Sequence, residues 1–376
     1  MQASHDHSES IAEALDHMHP ELAVVREAGG DPVYLVGGAV RDLLLGRGRA
    51  DIDLVVEGDA AALSERLGVE VTAHERFGTA KLMLSGHEVD IASARSESYP
   101  QPGALPVVKP GADLAADLRR RDFTINAMAI PLQGAPRLID PHGGEADLAI
   151  RQLRVLRDGS FIDDPTRALR AARYASRFGF GLEEHTAELI RETDLGTVSV
   201  DRREAELLRL ASEAEAASGF ALLAEWGLLE LRPEGAALVA GTAELLSSDP
   251  WRGSAPRDRA LLAAALGPPR GELALAEAQP ERPSQAVALA APHGEIELVL
   301  ARALGAEWLD RYIGEWRDVA LEIDGSDLIA AGLSQGPALG RGLEEALRRK
   351  LDGEVSGREQ ELAAALEAAR SSDGVA

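Results

Sequence analysis

The chain has 376 residues, 45% of them hydrophobic, which is enough apolar material for two or three packed domains. It contains no cysteine, which excludes disulfides, thiolate nucleophiles and thiolate zinc sites. Its net charge of -24, from 39 basic and 63 acidic side chains, excludes attraction to nucleic acid through overall charge, so any RNA contact must come from local basic surface.

The chain opens on MQASHDHSES, with no basic segment leading into an apolar core, and has no run of eighteen apolar residues. No membrane association and a cytoplasmic location are therefore expected. Residues 11–18 and 21–28 read as short helices separated at Pro20. Four histidines (His5, His7, His17, His19) fall here without a spacing that fixes ligand geometry, and read as a solvated N-terminal segment. Tyr34 to Leu54, YLVGGAVRDLLLGRGRADIDL, reads as strand, glycine turn, helix, strand. Gly37 and Gly38, lacking Cβ, let a triphosphate approach the backbone N–H groups, and Arg41, expected to be exposed near the helix start, offers donors to its oxygens. Asp51 and Asp53 alternate on the second strand and should project from one face roughly 7 Å apart. Bare carboxylates so placed call for a hard divalent cation such as Mg2+.

Gly37-Gly38-Ala39-Val40-Arg41-Asp42 followed by Asp51-Ile52-Asp53 resembles the head domain of the class II tRNA nucleotidyltransferase and poly(A) polymerase family. Either half alone is a common turn or strand end; the two at this spacing are much more specific. The resemblance implies an α+β fold, with a mixed-sheet nucleotidyltransferase head over residues 1–148, a helical neck over 149–210 and a helical body and tail over 211–376. It also implies template-independent addition of CMP and AMP to the tRNA 3' end, using CTP, ATP and Mg2+ and releasing pyrophosphate.

Further along, Ala60 to Leu67 reads as a helix, and 70–74 and 79–84 as strands joined by a turn at Phe77-Gly78-Thr79. On the next strand, His87 to Ala92, the resemblance makes Asp90 a third carboxylate beside the metal pair. Residues 95–116, rich in Pro and Gly and without periodicity, read as a flexible loop over the site. In DLRRRDFTINAMAI the resemblance puts Arg121 on phosphate and Asp122 on the ribose hydroxyl, while Phe123, Ile125, Ala127 and Ala129 read as core. Asn126, polar inside that apolar run, must hydrogen-bond something, with local backbone and ligand equally open.

The stretch 161–180, FIDDPTRALRAARYASRFGF, begins a helix at Asp164-Pro165 and repeats arginine at Arg167, Arg170 and Arg173, an oblique ridge. Residues 151–177 hold seven arginines against three aspartates, a basic patch on an acidic protein. The resemblance makes Asp164 and Arg167 readers of the incoming base. A carboxylate accepting from an exocyclic amino group and a guanidinium donating to a ring nitrogen fit cytosine and adenine and repel uracil and guanine. Asp163-Asp164 stands where complete CCA-adding members commonly carry Glu-Asp. Arg202 and Glu206, one turn apart, read as an ion pair stiffening the neck. From Glu213 onward the chain reads as helices broken at prolines, and the segment 325–343 resembles a tail element of the family. The alternatives are an enzyme restricted to CC or to the terminal A, a poly(A) polymerase, a non-catalytic RNA-binding relative, and a nucleotidyltransferase for small molecules.

Overall fold

A computed structural model describes residues 11–48, 51–68, 72–74, 79–268 and 271–371 of the chain. It divides into two units, Met1–Glu230 and Leu231–Ala376.

Apolar runs punctuated by glycine turns build the first unit around a six-stranded sheet. Its strands are β1 (Val33–Val36), β2 (Ile52–Val56), β3 (Thr72–His74), β4 (Thr79–Leu84) and β5 (His87–Ser93); after a separate ribbon of β6 (Arg95–Ser98) and β7 (Val107–Pro110) comes β8 (Ala129–Pro131). They lie in the order β3-β4-β5-β2-β1-β8. β2 and β5 are parallel and the other pairs antiparallel, so the sheet is mixed, as expected. Along β4, Ala80, Leu82 and Leu84 point inward with the period of two that a half-covered strand shows. The β4–β5 hairpin turns at Ser85-Gly86, both at positive φ, which matches the right-handed strand twist and pairs Leu84 with His87 and Lys81 with Asp90.

The helices that position the site are α1 (Gly38–Leu44), α2 (Ala60–Leu67), α3 (Leu114–Arg119), α4 (Thr166–Phe178), α5 (Val200–Ala211) and α6 (Ala216–Glu225). α2 starts where Asp59 caps the Ala61 N–H at 2.9 Å. α4 buries the small side chains Ala168, Ala171, Ala172 and Ala175, so neighbouring elements can approach closely. Gly219 of α6 does the same for α5: a Cβ there would stand 2.4 Å from Leu210 Cδ1. The sheet core runs without interruption into these helices, through Leu35, Leu54, Ile91, Phe123, Phe161 and Ala171. Phe123 is the join, fully buried, with ring centroids 6.4 Å from Phe161 and 6.0 Å from Tyr174. Ile125, Ala127 and Ala129 are buried with it, as their apolar pattern requires.

Three readings need correction. Residues 95–116 are not an irregular loop: β6 and β7 pair from Arg95↔Pro110 to Ser98↔Val107, and α3 follows. The prolines and glycine that suppress periodicity sit in the connection and at the strand end, where no ladder bond is lost. His19 is 1% exposed, its ring 3.4 Å from Glu21, so it is not part of a solvated segment; His5 and His7 lie outside the described residues. Arg202 does not pair with Glu206, because each is drawn across to other elements, as set out below. The turn at 77–78 and the start of the 70–74 strand lie outside the described residues.

The second unit is helical. Trp251, 1% exposed, donates its indole N–H to Asp310 at 2.7 Å, and Arg302 closes on the same carboxylate. Over residues 325–351 the chain forms helices Gly325–Ala330 and Pro337–Leu351, joined through a Gly-Pro turn, with Arg358–Ser371 packed beside them. Gly342 permits that approach: a Cβ there would lie 2.6 Å from the Ala365 carbonyl oxygen. Among the described residues no helix is long and apolar enough to cross a membrane.

Because Phe123 carries the continuity between sheet and helices, Phe123→Ala should destabilise the first unit by about 3–5 kcal/mol. Urea unfolding measures it; a loss below about 1 kcal/mol would show that the two parts do not share one core.

Candidate active site

A cleft of ≈ 1110 Å³ opens on the first unit, and every site residue singled out from the sequence lines it. The parallel pairing of β2 and β5 sets Asp53 directly opposite Asp90, and neighbouring strands lie only about 4.8 Å apart. Asp51 stands just ahead of β2 and is exposed. Burial, opposed by Arg121 and reinforced by the Asp90 and Asp51 charges, pushes the Asp53 carboxyl above its ordinary value. A divalent cation would relieve that crowding, and an all-carboxylate donor set is the chemistry a hard cation takes. Among the described residues no three such side chains already close on a single point, so the carboxylates share a cleft without forming a finished cage. Lys81 reaches into the same place, 3.6 Å from Asp90, and also holds Glu88.

The glycine turn has a geometric reason. Gly37 has φ +69°, and a Cβ there would stand 2.6 Å from Arg121 Nη1 and 3.8 Å from Asp53 Oδ2. Arg121 therefore lies over the turn, held by the fully buried Asp117 at 3.1 Å, which also takes Arg120 at 2.8 Å. Gly38 opens α1, and its absent Cβ would meet the Arg41 guanidinium, nearest at Nη2, 3.4 Å away.

Arg41 is not exposed, contrary to the sequence reading. It is 3% exposed, donating from Nε to Asp42 (2.8 Å) and from Nη1 to Asn126 Oδ1 (2.7 Å), with its guanidinium 4.5 Å from the Phe178 ring and 5.3 Å from that of Tyr174. Aromatic rings from α4 cover it, and no local pattern around Arg41 shows that. Asp122 is likewise enclosed, at 6% exposure. One oxygen accepts from the Phe123 N–H (2.9 Å) and Asn126 Nδ2 (3.0 Å), the other from Arg170 Nε (2.8 Å) and Nη2 (2.7 Å). A ribose hydroxyl reaches this carboxylate only by exchange with one of those donors. Burial alone would raise the Asp122 pKa, but Arg170 and the Asn126 hydrogen bond outweigh it and hold the carboxyl well below the usual range.

The arginine ridge of α4 is a wall of the cleft. Arg167, 5% exposed, donates to Ser160 Oγ (2.5 Å), the Arg120 carbonyl (2.8 Å) and the Tyr99 hydroxyl (3.2 Å). Asp164 accepts from the Thr166 N–H (3.2 Å) and hydroxyl (2.6 Å), so it caps α4 from one residue before Pro165. The same oxygen takes Arg202 Nη2 at 2.8 Å, while Arg202 Nη1 reaches the Gly103 carbonyl at 2.8 Å. Glu206 instead faces Arg173 (3.8 Å), Arg170 (4.0 Å) and Arg209. Sequence reasoning missed Lys81, Tyr99 and Asp117. Only Lys81 had a usable signal: counting back from a Ser85-Gly86 hairpin turn places it against Asp90.

A mixed sheet bearing paired carboxylates beside a Gly-Gly turn, backed by an arginine-walled helical neck, defines the nucleotidyltransferase class. The poly(A) polymerase head domain model matches residues 33–154. The CC-adding tRNA nucleotidyltransferase of Deinococcus radiodurans is 37% identical over 89% of this chain and 89% of its own. The chain belongs to the tRNA nucleotidyltransferase family. An A-adding enzyme of Halalkalibacterium halodurans is 41% identical, but the match spans only 56% of that protein, about half its length. The match to the A-adding enzyme of Geobacter sulfurreducens spans 21% of it. The solved Thermotoga maritima CCA-adding enzyme, complexed with tRNA, has a TM-score of 0.73 at 29% identity, covering 96% of this chain and 98% of that one.

The Asp122 pKa is lower folded than unfolded, so the stability it contributes is complete above about pH 4 and is lost as pH falls from there. Arg170→Met, which strands that carboxylate, should cost about 3 kcal/mol at pH 7. The gap from wild type should narrow at pH 3, and urea unfolding at the two pH values measures it; an equal gap at both would remove the ion pair from the account.

Proposed function

We propose that this protein adds CMP and AMP to the 3' end of tRNA, taking CTP and ATP in the presence of Mg2+ and releasing pyrophosphate. The observation that carries the reading is the Asp53–Asp90 pairing in a cleft that Asp164 and Arg167 also line. In the transfer, the tRNA 3'-oxygen forms a bond to the α-phosphorus, the bond from that phosphorus to the β-bridging oxygen breaks, and the hydroxyl proton leaves. Mg2+ held by Asp51 and Asp53 would neutralise triphosphate charge and acidify the attacking hydroxyl. The chain's own groups do the rest. Gly37 admits the phosphates, Arg121 holds them, Asp90 faces the reacting end as a third carboxylate, and the Asp122–Arg170 pair meets the sugar. Asp164 and Arg167 offer the acceptor and donor that cytosine and adenine share, which restricts the base without a nucleic-acid template. At ≈ 1110 Å³ the cleft has room for a nucleotide. We place the neck at residues 149–210 and assign the helices beyond it to the tRNA body. We also propose a cytoplasmic location, a reading that a tRNA substrate supports.

A second reading, addition of CC alone, is favoured by the likeness to the Deinococcus radiodurans enzyme along nearly the whole of both chains. Incubating tRNA that lacks three, two or one 3' nucleotides with each labelled triphosphate separates the two. The first reading expects C, C and then A; a stop after the second C selects the other, and no incorporation rejects both. In the same assay Asp164→Ala should lower CTP and ATP use and raise misincorporation of UTP and GTP, a loss of discrimination of roughly 1–3 kcal/mol. Lost thermal stability with unchanged base preference would leave Asp164 as a helix cap only.

A further inference from the structure

Asn126 sits between the two ends of a buried polar chain. Its Oδ1 accepts from Arg41 Nη1 at 2.7 Å, and its Nδ2 donates to Asp122 Oδ1 at 3.0 Å. Asp122 in turn takes Arg170, and Arg170 Nη2 donates to the Tyr174 hydroxyl at 2.8 Å. Asn126, Arg41 and Asp122 are each 6% exposed or less. The two neighbours of the amide carry opposite charges, so its orientation is dictated: the carbonyl must face the guanidinium and the NH2 the carboxylate. No other side chain of this size supplies both. Aspartate would set a second negative charge against Asp122, and leucine would leave one Arg41 donor and one Asp122 acceptor without a partner away from water. The backbone of Asn126 is tied to the site as well, since its carbonyl oxygen accepts from Arg121 Nη1 at 3.4 Å. One residue thus touches the helix that follows the glycine turn, the arginine over that turn and the carboxylate of the sugar-facing pair.

We infer that Asn126 is a positioning residue: its amide fixes the plane of the Asp122 carboxylate and thereby which face the Asp122–Arg170 pair turns to the sugar of the incoming nucleotide. This rests on the reading that the Asp122–Arg170 pair meets the sugar. Without the amide, Oδ1 keeps only the Phe123 N–H, the carboxylate turns about its own bond toward Arg170, and the acceptor left open is no longer aligned to tell a ribose from a deoxyribose. The triphosphate end keeps Arg121 and Gly37.

The test is the ratio of kcat/KM for CTP to that for dCTP, measured on tRNA ending before the first C, with thermal melting of each variant alongside. Asn126→Asp and the milder Asn126→Ser should each lower the ratio about tenfold, as for loss of one aligned hydrogen bond. Combining either with Asp122→Ala should lower it no further than Asp122→Ala alone, because both act through one carboxylate. If Asn126→Asp does not fold, Asn126→Ser decides. An unchanged ratio in Asn126→Ser, with Asp122→Ala lowering it, overturns the role given to Asn126 and leaves the sugar reading standing. An unchanged ratio in Asp122→Ala overturns the sugar reading itself, and the inference with it.

Discussion

The structure depends on one register: β2 and β5 run parallel with Asp53 beside Asp90. Burial pushes the Asp53 carboxyl above its ordinary value, and the Asp90 and Asp51 charges add to that rise against the pull of Arg121. A sheet chosen for stability alone would place β-branched residues there. The sheet tolerates the pair because both strands are otherwise buried apolar ladders, Ile52, Leu54 and Val56 against Val89 and Ile91. The stability given up at the cleft is offset by the core beneath it, as happens where a site holds strained or crowded groups.

Around that pair the remaining charges are arranged in opposition. Arg121 is held by Asp117, Arg170 by Asp122, Arg202 by Asp164, and Arg173 by Glu206 and Glu213. Few of these cations are free, although the cleft is arginine-lined. Each is held in place by a carboxylate, which reduces the side-chain freedom left to lose on binding.

Much of this was legible in the sequence, and the parts that were not share a cause. The glycine turn, α2, β4 and the capped start of α4 are local, set by glycine, alternation and an aspartate before proline, and they stand where the pattern put them; the D-x-D strand starts one residue late, at Ile52, with Asp51 just ahead of it. Arg41 reads as exposed because a polar residue early in a helix usually is; the Tyr174 and Phe178 rings that cover it lie more than 130 positions away. Arg202 and Glu206 have the spacing of an ion pair on one helix, yet each has a partner on another element in a better-enclosed place. The β6–β7 ribbon was hidden because its prolines sit where a ribbon tolerates them. Local signals define elements, and the choice among competing partners is made by packing.

We propose that Asp51 and Asp53, crowded by Asp90, hold a cation at the expense of stability. The most direct measurement is the melting temperature of wild type and Asp53→Asn in chelator and in Mg2+. The account predicts that Asp53→Asn melts higher than wild type in chelator, since one of the opposed charges is gone, and that Mg2+ raises the wild type while moving the variant little. Equal melting in chelator together with an equal gain from Mg2+ would contradict it.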